Sequence, residues 1–242
     1  VEPNEPYMAM TGRSTGLNDN YGYIAEGFYK ESDFDENGNL LEGYPSPGVT
    51  VYPGDVKYKD LNNDGVINTD DQTYIGFPKR PELNFGLNYG INYKGWEVTF
   101  NWVGAANRSI VYDDEFRYPF GQTGNRSLMK FMVDERWTPA KGDLAEAPRF
   151  SQNSKEFNYR NSSLWIRNAS YFRLKTLKVG YSFNNKPLLK RIGVSALQVY
   201  VSGYNLLTFD GLKYMDPEVN PDKQNNTYPI TQTYNLGVNI TF

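Results

Sequence analysis

From Thr233 to Phe242 the sequence reads TYNLGVNITF, and every even position in it carries a large apolar or aromatic side chain. Every odd position is Thr, Asn or Gly, so the period of two has no exception. Successive side chains of a β-strand point to opposite faces, and this period is typical of a strand with one apolar and one polar face. The pattern predicts a strand over residues 229–242.

Two further alternating runs, joined by a short turn, lie in the middle of the sequence. Residues 83–93 read LNFGLNYGINY, and residues 96–106 read WEVTFNWVGAA. Between them stand Lys94 and Gly95, a dipeptide suited to a tight turn. Two alternating runs with such a turn predict a β-hairpin.

Two less regular strands are predicted between the hairpin and the final stretch, over residues 171–183 and 196–209. In the first of them, Arg173 and Lys175 fall on the parity of the apolar residues. The conflict disappears if the strand spans a membrane and these two residues lie beyond its edge.

Composition favours an all-β chain and argues against several kinds of function. The sequence has 20 Tyr and 14 Phe, which favour strands, together with 22 Gly and 14 Pro, which interrupt them. It has no Cys and no His, so neither a Ser-His nor a Cys-His catalytic pair can form, and we expect no enzyme. The net charge of -3, without a run of Lys or Arg, argues against binding to nucleic acid.

The lengths of the connections indicate which ends of the strands would face the periplasm and which the cell exterior. The connections at 94–95 and 184–195 are short or moderate, whereas 107–164 and 210–228 are long and polar. Outer-membrane β-barrels have short periplasmic turns and longer extracellular loops. The sequence therefore predicts an all-β fold, the antiparallel strands of a transmembrane β-barrel, with Phe242 ending on the periplasmic side.

A loop over residues 60–71, DLNNDGVINTDD, carries the chemistry of a possible site. It matches an EF-hand-type calcium loop, with Gly at the sixth position, where the backbone turns sharply. The candidate metal ligands, at loop positions one, three, five, seven, nine and twelve, are Asp60, Asn62, Asp64, the carbonyl of Val66, Asn68 and Asp71. The pattern predicts a site for Ca²⁺ or a similar cation that stiffens the loop, although clusters of Asn, Asp and Gly also favour turns without an ion.

The same residues also allow an alternative fold and an alternative function. A soluble β-sandwich also alternates, but its wet face usually carries charged side chains, whereas Asn, Gly, Thr and Ser prevail here and suit a crowded polar lumen. A second function also stays open, that of a secreted, calcium-stabilised β-domain that binds carbohydrate through its aromatic residues.

Several stretches together resemble the SusC/RagA-type TonB-dependent outer-membrane transporters of Bacteroidetes. They are GDVKYKD (54–60), IGFP (75–78), RWTP (136–139), NASYFRLK (168–175), SGYNLLT (202–208) and YNLGVNITF (234–242). The resemblance extends from about residue 21 to Phe242, and it rests on the order and spacing of these stretches more than on any one of them.

The resemblance implies a bacterial outer-membrane barrel of 22 strands with an internal plug. Such a transporter imports oligosaccharides or peptides with energy from TonB, beneath a SusD-like surface lipoprotein. A terminal aromatic residue, here Phe242, resembles the signal read by the barrel-assembly machinery. Five strands are too few for such a barrel, so we expect a C-terminal portion whose parent contacts TonB through an N-terminal part absent here. Residues 1–82 would form an extracellular loop region, and 83–242 would hold the barrel strands with their long loops.

Overall fold

The computed structural model describes residues 20–121, 126–151, 155–184, 186–220, 228 and 230–242. Within these ranges the strands are β1 (Tyr21–Tyr23), β2 (Ala25–Phe28), β3 (Val56–Tyr58), β4 (Gln72–Tyr74), β5 (Leu83–Tyr93), β6 (Trp96–Ala106), β7 (Ser109–Val111), β8 (Ile166–Asn168), β9 (Tyr171–Asn184), β10 (Ala196–Asp210) and β11 (Thr233–Thr241). The helices are α1 (Lys130–Glu135), α2 (Lys155–Asn158) and α3 (Pro187–Arg191). None of the described helices has the length and apolar character needed to cross a membrane.

The chain divides into two compact units. The first combines residues 20–80 with Ser109–Asn168. The second combines Pro81–Arg108 with Ala169–Asn220 and the described residues after 227. This differs from the predicted division, in which residues 1–82 stood apart from everything after them. The first 19 residues of that predicted loop region lie outside the described part of the chain.

The first unit is built on short antiparallel ladders, in which β1 pairs with β4, β2 with β3 and β7 with β8. Its core is largely aromatic. Tyr29, Tyr58 and Phe157 are each exposed by no more than 2%, and the rings of Tyr58 and Phe157 meet edge to face at 5.1 Å. Aromatic pairs in this geometry add to the free energy gained by burial.

A buried polar network joins the two stretches of this unit. The Asp55 carboxylate is fully buried and accepts hydrogen bonds from Arg149 Nε at 2.8 Å and from Asn158 Nδ2 at 2.9 Å. Asn158 in turn accepts a hydrogen bond from the Val56 amide at 2.9 Å. The stretch 107–164, which the sequence analysis treated as one long polar loop, thus holds core and network residues of a folded unit.

The second unit is a five-stranded antiparallel sheet in the order β11-β10-β9-β6-β5. The predicted all-β antiparallel fold is confirmed by this sheet. The strands begin and end within a few residues of the predicted bounds, and the largest difference is at β11, which begins at Thr233. Residue 229, where that strand was predicted to begin, lies outside the described residues.

The β5–β6 hairpin has the register that the alternation requires. Leu83 pairs with Ala106 and Tyr93 with Trp96, without a shift between them. The two turn residues both have positive φ, 47° at Lys94 and 90° at Gly95, as a type I′ turn requires. Because the pairing is unbroken, the apolar residues of β5 and those of β6 from Trp96 to Trp102 share one face.

A β-bulge changes the parity of β9. Thr176 pairs with Asn101 of β6, but Leu174 pairs with the next residue, Trp102, so Lys175 is the extra residue. An extra residue in one strand moves every side chain before it to the opposite face. The bulge thus places Arg173 on the polar face, and this register shift resolves the parity conflict without any appeal to a membrane edge.

Candidate functional site

The acidic loop 60–71 turns sharply on its glycine. Gly65 has a φ of 81°, at the loop position where the calcium-loop pattern expects this conformation. The Asp60 carboxylate accepts hydrogen bonds from the amides of Asn63 at 2.7 Å and Gly65 at 2.8 Å. Asp60 thus holds the first half of the loop closed.

The other carboxylates of the loop also accept hydrogen bonds from within it. Asp71 is fully buried and accepts from the amides of Leu61 and Asn68, both at 2.8 Å. Asp64 accepts from the Asn62 and Asn68 side-chain amides and from the amide of Val66. These hydrogen bonds, that from Asn62 foremost, hold the pKa of Asp64 below its ordinary value.

The structure thus brings the six predicted ligand residues into one short loop, which is closed by its own hydrogen bonds. Among the described residues, no group of three or more Asp, Glu, His or Cys side chains is placed to hold a metal ion. A carboxylate oxygen has a second lone pair, so the internal hydrogen bonds leave it able to accept another partner. Cation binding by this loop stays a prediction.

One face of the five-stranded sheet is apolar and exposed. The exposed side chains on this face are Leu83, Phe85, Leu87, Tyr89, Ile91, Tyr93, Trp96, Val199, Val201, Leu207, Phe209, Tyr234, Leu236, Val238 and Ile240. Their exposed fractions reach 77%, at Leu236. A soluble protein rarely leaves so large a contiguous apolar patch in water.

Aromatic rings gather near both ends of this apolar face. At one end, Phe85, Phe172, Trp102 and Phe209 stack across four strands, with the rings of Trp102 and Phe172 4.5 Å apart. At the other end, Trp96 meets Tyr181 at 5.2 Å. Aromatic girdles of this kind flank the lipid-facing band of transmembrane barrels.

The opposite face of the sheet carries a polar ladder. Glu97 on β6 accepts hydrogen bonds from Lys178 Nζ on β9 at 3.1 Å and from Gln198 on β10 at 2.5 Å. Gln198 accepts in turn from Asn239 on β11 at 3.0 Å. The ladder crosses four strands, so the polar face is bound together side chain to side chain.

A second charged cluster on this face was missed by the sequence analysis. Arg173 is 1% exposed and donates to Thr208 Oγ1 at 2.8 Å, to Asp216 at 2.5 Å and to Glu218. The available signal was the pair of cations at Arg173 and Lys175, which broke the alternation of an otherwise apolar parity. Their acidic partners stand more than 40 residues further along the chain, where no local pattern could reveal them.

Phe242 follows β11 and is 86% exposed. By parity it belongs with Ile240 on the apolar side. Its role as an assembly signal stays a prediction.

No family model matches the chain. Among curated proteins it is 29% identical to TonB-dependent receptor P3 of Formosa agariphila, over 92% of this chain and 22% of that protein. It is 32% identical to TonB-dependent receptor P26 of the same organism, over 78% of the chain and 20% of the receptor. It is 24% identical to TonB-dependent receptor SusC of Bacteroides thetaiotaomicron, over 91% of the chain and 20% of SusC.

Solved structures give the same answer for the fold. The RagAB peptide transporter matches with a TM-score of 0.63 at 21% identity, over 92% of this chain and 22% of the other. The RagAB peptide importer in the open-open state matches with a TM-score of 0.59 at 22% identity, over the same shares.

These relatives are receptors of the bacterial outer membrane, and that is where the sheet belongs. The chain spans about a fifth of the length of the curated relatives it matches. The two-faced antiparallel sheet, the similarity over nearly the whole chain and the matching fold lead to one conclusion: the chain belongs to the SusC/RagA-type TonB-dependent receptors.

Proposed function

We propose that the receptor containing this chain imports glycans or peptides across the outer membrane, and that this chain supplies five strands of its barrel wall. The observation that carries the proposal is the division of the sheet into two faces. Apolar side chains cover one face, as contact with lipid requires, and the Glu97 ladder lies on the other, as a water-filled lumen requires.

The dimensions of the apolar face support this role. Tyr93 stands eight positions after Phe85, and these two aromatic residues lie towards the two ends of β5. At a rise of about 3.4 Å per residue they lie roughly 27 Å apart along the strand. An outer-membrane barrel has an apolar band about 25 Å tall, so even a tilted strand of this length covers most of it.

The whole barrel is proposed to have 22 strands and to enclose a plug. Because lipid offers no hydrogen bonds to a sheet edge, β5 and β11 need further strands on their open sides. TonB would supply the energy through a part of the receptor outside this chain. A SusD-like lipoprotein would be the surface partner, as the pairing named in the RagAB structures suggests.

Import is tested by deleting the receptor gene and measuring growth on single glycans and on peptide mixtures as sole nutrients. The expected result is loss of growth on one class, restored by the intact gene and not restored in cells without TonB. Uptake that continues unchanged in the deletion strain would contradict the proposal.

Detergent extraction of a tagged receptor tests the partner, because a SusD-like lipoprotein should copurify with it.

Calcium, or a cation of similar size, is the proposed ligand of the loop 60–71. The arrangement of Asp60 and Asp64 around Gly65 supports it, and the expected effect is to stiffen the loop. The test is hydrogen exchange of the loop amides in the purified receptor, with calcium and with chelator. Calcium should slow exchange in the unchanged protein and in Asp70→Asn, but not in Asp64→Asn. Equal exchange with and without calcium would overturn the proposal.

A further inference from the structure

The segment of residues 211–220, here named the strap, follows β10 and lies on the polar face of the sheet. Its two carboxylates, Asp216 and Glu218, both pair with Arg173 of β9, whose side chain is 1% exposed. Arg173 is also fixed from the sheet side by its hydrogen bond to Thr208. The ion pairs therefore join the strap to a side chain that cannot itself move far.

A second arginine fixes the strap through its backbone. Arg108, which stands just after β6 and is 7% exposed, donates to the carbonyl oxygens of Pro217 and Val219, the latter at 2.8 Å. These two residues alternate with Asp216 and Glu218. Four consecutive residues of the strap are thus held, two by their side chains and two by their carbonyls.

Further contacts close the cluster around Glu218. Lys175, the bulge residue, donates to its carboxylate at 3.0 Å, and the Tyr171 hydroxyl donates to it at 3.1 Å. Within the strap, Asp216 accepts hydrogen bonds from the amide of Glu218 at 2.8 Å and, at its carbonyl, from the amide of Val219 at 3.0 Å. Val219 is 5% exposed, so the strap also buries an apolar side chain.

The charges of this cluster decide between a mobile lid and a fixed part of the wall. Three cations, Arg108, Arg173 and Lys175, meet two carboxylates and two carbonyl dipoles. If the strap lifted away, Arg173 would lose both of its counter-charges, and Lys175 would lose Glu218 in the same step. Because these ion pairs and the hydrogen bonds from Arg108 form one connected network, the strap can lift only by breaking them together, which disfavours a mobile lid.

We propose that the strap is a fixed element of the lumen wall, held at one end of the sheet by Arg108 and Arg173, and that it does not open and close over the passage for solute. This rests on the proposed function, since the polar face borders a passage only if the sheet is part of a transport barrel. The bulge at Lys175 helps to hold the strap, because it turns Arg173 to the polar face.

The experiment is hydrogen exchange by mass spectrometry on the complete receptor in detergent, read from peptides that cover residues 211–220. In the unchanged protein the amides of Glu218 and Val219, which are hydrogen-bonded to Asp216, should exchange slowly. Arg173→Met keeps the volume and removes the charge, and it should raise the exchange rate of the strap about 100-fold or more. Glu218→Gln, a milder change in the strap itself, should give a smaller rise.

Lys178→Met is the matched control. It removes an ion pair from the same face of the same strand, that with Glu97, and should leave exchange in the strap unchanged. Fast exchange of the strap in the unchanged receptor, or slow exchange in both Glu218→Gln and a folded Arg173→Met, would overturn the proposal. Loss of solute uptake in the gene deletion tests the transport role separately, so the two ideas fail by different measurements.

Discussion

At the scale of single residues, buried carboxylates hold this chain together where its strands are short. Asp71 and Asp55 are both fully buried, and each accepts hydrogen bonds from at least two donors. When one partner of a buried hydrogen bond is removed, the loss of stability exceeds the net stability that the bond contributes. The reason is that the remaining group stays desolvated without a partner. Substitutions at these carboxylates should therefore have large local effects.

Asp71→Asn should loosen the loop 60–71. The substituted amide keeps one acceptor oxygen and turns a donor group towards the second of the two backbone amides, at a cost of about 1–3 kcal/mol. Hydrogen exchange of residues 60–72 in the complete receptor measures the effect. Asp70→Asn is the control because Asp70 is exposed, and equal effects of the two substitutions would contradict the prediction.

Acid should release the strap. Burial alone would raise the pKa of Glu218, but the hydrogen bond from Lys175 and the charge of Arg173 together lower it below its ordinary value. A carboxyl group whose pKa is lowered by folding stabilises the folded state at pH values above its unfolded pKa, here 4.5. This stabilisation is lost as the pH falls through the folded pKa. The groups that face Glu218 are Tyr171, Arg173, Lys175 and Asp216, with Arg108 nearby.

Strap protection should therefore be full at neutral pH and fall only below about pH 4.5, the ordinary value for this group. The measurement is exchange in the strap peptides after correction for the pH dependence of the chemical step. Glu218→Gln should flatten the profile. A loss of protection centred near neutral pH would refute the assignment to the carboxyl group of Glu218.

At the scale of elements, one close contact helps to fix the register of β11. Tyr200 of β10 pairs with Gly180 on one side and Gly237 on the other. A Cβ added at Gly237 would lie 2.3 Å from the Tyr200 ring, so the ring covers the bare glycine backbone. Lys178 Nζ stands 5.0 Å from the ring centre. An aromatic ring over a glycine of the neighbouring strand is a known way to fix register.

Gly237→Ala should weaken the pairing of β11 by about 1–3 kcal/mol, because the added methyl group displaces the ring. When Tyr200 is already replaced by Ser, Gly237→Ala should lower the stability much less than it does in the unchanged receptor. Gly90→Ala is the control, since its nearest neighbour would be an ordinary contact at 3.5 Å. The readout is the urea midpoint of the full receptor in detergent, and additive effects of the two substitutions would argue against the contact.

The sequence predicts the long strands well, because the eleven residues of β5 and the first seven of β6 alternate without exception. It does not predict the first unit, whose strands of three or four residues are too short to show one. The bulge at Lys175 appeared only as a broken parity. The acidic loop was located by its spacing, but the cluster that holds the strap was not, since Arg173 and Glu218 stand 45 residues apart.

At the scale of the whole molecule, the two faces of the sheet should respond oppositely to charge. Leu236→Lys places a cation on the apolar face of β11, whereas Asn235→Lys places it on the polar face one residue away. A lysine in the lipid costs about 2–4 kcal/mol at the midplane, and one in a lumen costs little. Folding of the receptor into lipid vesicles in a urea series measures the difference. Equal losses from the two substitutions would contradict the assignment of the faces.

The first unit is discontinuous in the chain, and this links two folding events in time. Asp55 and Asn158 are 103 residues apart, and the whole β5–β6 hairpin lies between them in sequence. Their contact therefore closes a loop of the chain that contains the hairpin. The core can form only if its contacts offset the entropic cost of closing this loop. The chain is made from its amino end, so the hairpin is made before Asn158. The core of the first unit cannot be completed until then. Completion of the first unit is thus a late step of folding, because it needs residues that follow the hairpin in the chain.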